Sequence, residues 1–164
     1  MKRKIIPHLW FDKEAAEAAE FYTSVFDNSK INFKIKILDT PSGDCDIVGF
    51  RIMGYDFMAM SAGPLFKINP SISFHAKCRT VEEVDELWEK LSDGGIVRMA
   101  LGAYPFSKRY CWIEDKYGVS WQVVPTILSA MLSDADPKKS QQVMKAMLQM
   151  KKIDINGLKQ AYER

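Results

Sequence analysis

The sequence predicts an α+β fold in which two βαβββ modules form a curved mixed sheet around a cavity, with a helical tail at the C-terminal end. Three observations carry that expectation. A strand-like segment, an amphipathic helix and three more strand-like segments occur in that order twice before residue 125, and an internal repeat is weighed before any motif. Within each copy the helical segments space apolar residues at 3.6, while the strands alternate with period two or run short and apolar. Finally, 164 residues of which 47% are hydrophobic and 27% charged are ordinary for one globular domain.

The first module, about residues 1–62, opens with KIIPHLWF (4–11), β-branched and aromatic and read as a strand. Asp12 is placed to cap the helix that follows, its carboxylate accepting from the first free N–H groups. Ala15, Ala18, Ala19, Tyr22, Val25 and Phe26 fall on one face of that helix, with Glu14, Glu17 and Glu20 mostly outside it. In KINFKIKIL, Ile31, Phe33, Ile35 and Ile37 alternate with Asn32, Lys34 and Lys36, which predicts a half-buried strand. After a turn at Pro41-Ser42-Gly43 come two strands, DIVGFRIM and DFMAMSA, joined at Gly54-Tyr55-Asp56.

A loop, GPLFKINP, leads to the second module, about residues 70–125. SISFHAKC reads as a strand. Thr80 and Glu83 are spaced as a capping box, each side chain serving the other's backbone donor. Val81, Val84, Leu87, Trp88 and Leu91 form the apolar stripe of the helix, and Gly94-Gly95 ends it. IVRMALG, SKRYCWIE and GVSWQVV supply three strands, the last after a turn at Asp115-Lys116-Tyr117-Gly118. Residues 126–164 read as the helical tail. Pro137 sits at a first helical position after Asp136, and Asp154 caps a last short helix through Tyr162. The stripe of Val143, Met144, Met147, Leu148 and Met150 is read as packing against the body or a second subunit, since Met fills irregular gaps.

Composition narrows the function classes. A net charge of +2, from 23 basic and 21 acidic residues, lacks the clustered basic charge of a nucleic-acid binder. No apolar run reaches the roughly 18 residues of a membrane span. The basic start is followed by Pro7, His8 and Asp12, not by the uninterrupted apolar core of a signal peptide. Three widely spaced cysteines (Cys45, Cys78, Cys111) form neither a disulfide framework nor a zinc ribbon. A reducing, cytoplasmic location is the expectation, with the thiols as small buried hydrophobes.

The repeated βαβββ unit resembles the vicinal oxygen chelate superfamily of glyoxalase I, bleomycin resistance proteins and extradiol dioxygenases. LWFDKEAAEAAEFYTSVF, GPLFKINPSISF, TVEEVDELWEKLSDGG, DKYGVSWQVVP and the tail QQVMKAMLQMKKIDINGLKQAYE are similar to its PhnB-like branch. Members of that branch are often labelled 3-demethylubiquinone 3-methyltransferase. No GxGxxG-like segment follows a strand, as a Rossmann-type methyltransferase would require. The resemblance implies four strands per module, two sheets cupping one cavity, and modules that pair within a chain or across a homodimer.

In the superfamily's catalysts, inward His and Glu side chains on the first and last strands of each module hold a divalent metal. The matching positions here offer Ala59 or Ser61, Gln122, and Ser71 or Ser73, which cannot replace carboxylates or imidazoles. The resemblance therefore implies no metal and no cofactor. His8 and His75 hold similar places in the first strands of the two modules, and alternation sends His75 toward the cavity. Each is read either as a hydrogen-bonded wall residue or as an acid/base or anion-binding group near neutral pH. Trp10 stands beside His8; Tyr110 shares a face with Trp112, and Met58 with Met60; Gln122 lies on the polar face of the final strand. Such aromatic, thioether and amide walls suit a small-molecule pocket, with core filling the other reading of Trp112 and the methionines.

The expected ligand-binding set is thus His8, Trp10, Met60, His75, Tyr110, Trp112 and Gln122. The function expected is a PhnB-like protein binding a small molecule in a metal-free pocket, with the reaction, if there is one, left open. Two alternatives stand beside it: a metal-dependent lyase, isomerase or dioxygenase, and a drug-sequestering resistance protein. The partners expected are a small ligand and a second copy of the chain, not nucleic acid or membrane.

Overall fold

The computed structural model describes residues 5–41, 43–105, 107–126, 131–132, 134–150 and 154–163. The first repeat forms β1 (His8–Phe11), α1 (Ala15–Val25), β2 (Lys30–Thr40), β3 (Gly43–Ile52) and β4 (Tyr55–Ser61). The second forms β5 (Phe74–Cys78), α2 (Val81–Ser92), β6 (Ile96–Tyr104), β7 (Ser107–Glu114) and β8 (Ser120–Pro125). The tail contributes α3 (Pro137–Leu148) and α4 (Ile155–Tyr162). Each repeat makes a four-stranded sheet of the same order, β1-β4-β3-β2 and β5-β8-β7-β6. In the first, β1 lies parallel to β4, and β3 runs antiparallel to both of its neighbours. By contact the chain divides into two compact units: Met1–Phe74 with Glu89–Val97 and Ile113–Trp121, and His75–Trp88 with Arg98–Trp112 and Gln122–Arg164.

In the first unit the stripe read from the sequence is the buried face of α1. Ala15, Ala18, Ala19 and Tyr22 are fully buried, and Val25 and Phe26 nearly so. The alanines bring the helix close to the sheet, and Tyr22 then stacks on Phe50 at 6.2 Å, with Phe50 stacked in turn on Phe57 at 5.5 Å. Trp121 closes the cluster against Phe26 and Phe74, at 4.9 and 5.3 Å. Burying each such ring contributes about 1.5–3 kcal/mol.

The cap of α1 differs from expectation. Asp12 does not cap it: the helix begins at Ala15, too far along for the Asp12 carboxylate to be its N-cap, and the Asp12 carbonyl accepts from Gly63 N–H at 3.1 Å in a continuation of the β1–β4 pairing. Glu14 is the N-cap residue and makes no side-chain cap. The Ala15 N–H instead donates to the Ser61 hydroxyl on β4, at 3.1 Å. A helix donor is thereby satisfied from the sheet.

The turn 115–118 is held by one buried carboxylate. Asp115 Oδ1 accepts from the Tyr117 and Val119 amides at 2.9 and 3.0 Å, and Oδ2 from the Trp121 indole at 2.8 Å. Burial raises the Asp115 pKa above the carboxylate norm, and these bonds only partly oppose it. The buried Tyr22 hydroxyl lies beside the Asp115 carboxylate without a well-formed hydrogen bond; burial first, and the nearby Asp115 charge second, push its pKa well up. Tyr117 ties the turn to α1 by donating to Glu17 at 2.7 Å.

In the second unit, the Glu83 amide donates to Thr80 Oγ1 at 3.2 Å, which is half of the expected capping box. The other half goes elsewhere: the Glu83 carboxylate accepts from the Arg79 amide at 2.7 Å and pairs with the Arg79 guanidinium. Asp136 caps α3 by accepting from Lys138 N–H at 2.9 Å, with Pro137 following it, and Asp154 caps α4 through Gly157 N–H at 3.1 Å. Met131, Val143 and Leu158 form the tail's own core, with Met147 and Met150 packed on it. Of the tail stripe, Met144 and Leu148 remain exposed.

One expectation about burial fails. β2 was expected to bury Ile31, Phe33, Ile35 and Ile37, yet Phe33, Ile35 and Ile37 are 42%, 53% and 44% exposed. The register explains it. Phe33 pairs with Gly49 and Ile35 with Ile47, residues on the face opposite Val48 and Phe50, and α1 covers only the latter face. β2 is also the sheet's edge.

Candidate functional site

The parallel register of β1 on β4 sets the face to which each side chain belongs. His8 pairs with Met58 and Trp10 with Met60, so these four share one face of the first sheet. Leu9, Phe11, Ala59 and Ser61 share the other face and are buried. Across β3 the open face continues through Ile47, opposite Met60, and Gly49, opposite Met58. Gly49 has a packing reason: a Cβ there would lie 2.2 Å from the Phe33 ring, which rests across the bare backbone.

At one end of this face a pocket of about 250 Å³ opens between β1 and the segment joining the two repeats. Its apolar wall includes the rings of Trp10, Phe66 and Phe74, and its polar edge includes His8, Lys67, Asn69, Ser71 and Ser120. Trp10 is fixed from two sides: its indole N–H donates to Gly63 O at 2.8 Å, and Phe66 meets it edge-on at 5.0 Å. Asn69 Oδ1 accepts from both the amide and the hydroxyl of Ser71, which orients the carboxamide. Phe66 and Ile72 are 60% and 72% exposed, so the walls keep apolar surface uncovered.

Two expected ligand residues, His8 and Trp10, line this pocket, and Met60 sits beside Trp10 on the same face. The other four belong to the second unit. There Arg109 pairs with Asp85 of α2 at 2.6 Å, so Arg109 and Cys111 take the helix-facing side of β7 and Tyr110 and Trp112 share the opposite face. The Tyr110 hydroxyl donates to Gln122 Oε1 at 2.7 Å, which fixes the amide's orientation. His75 is exposed opposite buried Ala76. Partial desolvation and, second, the Lys77 charge lower its pKa, favouring the neutral ring.

Phe66, Lys67 and Asn69 of the linker and Phe74 at the start of β5 were missed by sequence reasoning, and Ser71 was read only as a position matching a metal ligand. The signal was available: Leu65, Phe66 and Ile68 are an apolar concentration inside a Pro-bounded loop, with no helical or strand period to bury them.

The β4 positions that match the superfamily's metal ligands do not suit a hard divalent metal. Among the described residues no three His, Cys, Asp or Glu side chains come together. The open-face positions of β4 carry the thioethers Met58 and Met60, while Ala59 and Ser61 face the helix side. Neither position therefore offers the anionic oxygen a hard cation needs. The thiols are likewise removed from chemistry: Cys45, Cys78 and Cys111 are buried and unpaired, and burial pushes Cys78 and Cys111 up to about 12. Among the described residues no helix is long and apolar enough to cross a membrane.

Two four-stranded mixed sheets of like order, one from each βαβββ repeat, are the glyoxalase-type fold. The model of the family described as 3-demethylubiquinone-9 3-methyltransferase matches residues 3–124, and the chain belongs to that PhnB-like family. A PhnB protein from Bacillus cereus is 37% identical, with a TM-score of 0.70, over 75% of this chain and 99% of that one. A glyoxalase-related enzyme from Fulvimarina pelagi shares the fold at 14% identity and a TM-score of 0.51, over 75% of this chain and 88% of that one. The fosfomycin resistance protein FosX from Listeria monocytogenes does so at 15% and 0.56, over 76% and 93%. No curated protein matches the sequence. The family's name speaks of methyl transfer, yet mixed sheets without a Gly-rich phosphate loop are not the doubly wound parallel sheet of Rossmann-type methyltransferases.

Proposed function

We propose that this protein binds a small organic molecule in the pocket beside β1, without a metal of its own. The observation that carries the reading is the convergence of His8 and Trp10 with the ring-bearing linker around about 250 Å³. That volume is near the lower end of ligand pockets, and a mostly apolar wall with a few placed polar groups is their usual make-up. The FosX structure with Mn(II) and 1S,2S-dihydroxypropylphosphonic acid belongs to a protein that shares only the fold. The side chains present here argue for binding that rests on rings and hydrogen bonds instead.

The reading includes a homodimer. Phe33, Ile35 and Ile37 leave an apolar stripe uncovered on the same open face, and a second copy is the occupant that would bury it. It also includes a reducing, cytoplasmic location, in keeping with three unpaired thiols. Native mass spectrometry of the full chain with elemental analysis of the same sample tests the reading. A dimer without stoichiometric metal is expected, and one divalent ion per chain would overturn metal independence.

A further inference from the structure

The pocket's polar groups are weighted toward donors. Lys67 is its ammonium donor and His8 its imidazole, and among the described residues lining it there is no Asp or Glu. Asn69 has its carbonyl oxygen occupied by both Ser71 donors, so the group it can offer a guest is its NH₂. The Trp10 N–H is already given to Gly63 O, which leaves the ring as what Trp10 presents. Ser71 spends its hydroxyl hydrogen on Asn69, and its oxygen can still accept.

The rest of the wall asks for an apolar body. Phe66 and Ile72 stay largely exposed, and a flat guest against Trp10 and Phe66 would cover them. A guest that meets these donors and these rings combines an acceptor group with an aromatic body. Lys67 is the one Lys or Arg among the described lining residues and suits a carboxylate, whereas a dianionic phosphate would call for more positive charge than Lys67 supplies.

We propose that the ligand is a small ring-bearing monocarboxylate, its carboxylate held by Lys67 and Asn69 and its ring by Trp10 and Phe66. This rests on the pocket being a binding site, and the experiment separates the two claims. Phenylacetate, phenylacetamide, 2-phenylethylamine and phenylphosphonate are titrated into the full-length ¹⁵N-labelled protein. The Trp10 indole N–H, assigned with W10F among four tryptophans, is the reporter. The proposal expects phenylacetate to bind about tenfold more tightly than phenylacetamide, that is, by about 1.4 kcal/mol. Lys67→Met should abolish the preference while the amide still shifts the reporter.

Equal or tighter binding of the amide, amine or phosphonate overturns the carboxylate and leaves the pocket standing. An undiminished preference in a folded Lys67→Met protein overturns the role of Lys67. If no probe moves the Trp10 resonance, the pocket reading itself falls.

Discussion

Replacing Asp115 by Asn isolates the device that holds the turn 115–118 on the core of the first unit. The carboxylate is 3% exposed and accepts three hydrogen bonds. An Asn carbonyl can take the place of Oδ1 and keep the Tyr117 and Val119 amides. Its NH₂ then faces the Trp121 indole N–H, donor against donor. Losing a charge-assisted bond removes about 1.5–3 kcal/mol and stranding the indole N–H costs about 1–3 kcal/mol. Relief from burying a charge offsets part of this. A net loss of about 2–4 kcal/mol corresponds to a fall in Tm of roughly 4–16 °C for a chain of this size.

The pH dependence supplies a second signature. Burial raises the Asp115 pKa in the folded state above its unfolded value. The folded chain therefore binds the proton more readily, and this group's contribution is fully present below the unfolded pKa. It is lost as pH rises through the raised folded value. Asn does not titrate, so the gap between wild type and D115N should widen as pH falls from 7 toward 4. Calorimetric melts at both pH values provide the assay. A Tm within 2 °C of wild type at pH 7, or a gap that narrows on acidification, would refute the reasoning.

Further expectations follow from the two sheets and the thiols. Gly49→Ala drives a Cβ into the Phe33 ring and should cost about 1 kcal/mol, but little or nothing in a Phe33→Ala background; denaturant melts of the four-member cycle measure that coupling. Ile35→Lys, on the exposed stripe, should convert the proposed dimer to monomer in analytical ultracentrifugation with little change in Tm. Cys78 and Cys111, held near 12 by burial, should resist iodoacetamide at pH 8 in the folded protein and react once it is unfolded, as mass spectrometry will show. His75 should titrate below the ordinary imidazole value by NMR, and Lys77→Met should move it partway back. Because the unfolded imidazole takes the proton first, stability from this group is present above pH 6.5 and is lost as pH falls through the lowered value.

The local periods made most of the fold legible. The helix stripes of Ala15 to Phe26 and Val84 to Leu91, the turn at Gly54 and the caps at Asp136 and Asp154 depend on neighbours within a few residues. Features set by distant partners were not legible. The first amide of α1 finds Ser61, 46 residues away, so Asp12 was the natural but wrong cap. The alternation in β2 was real, yet period two tells that two faces differ and not which of them receives a helix. At the site, phase alone placed His8 and Trp10 on one face. Their meeting with the linker depends on a loop whose path no periodicity encodes, held by Trp10 to Gly63 and Asn69 to Ser71.

The most direct test of the central claim is a fragment screen of the full-length chain by ¹⁵N–¹H correlation spectroscopy, with the shifted resonances mapped on the structure. The account predicts that hits move the Trp10 indole together with the amides of His8 and of residues 66–69, 71 and 72, and that Trp10→Ala removes them while the protein stays folded. Hits that gather elsewhere on the chain, or that survive Trp10→Ala unchanged, would contradict it.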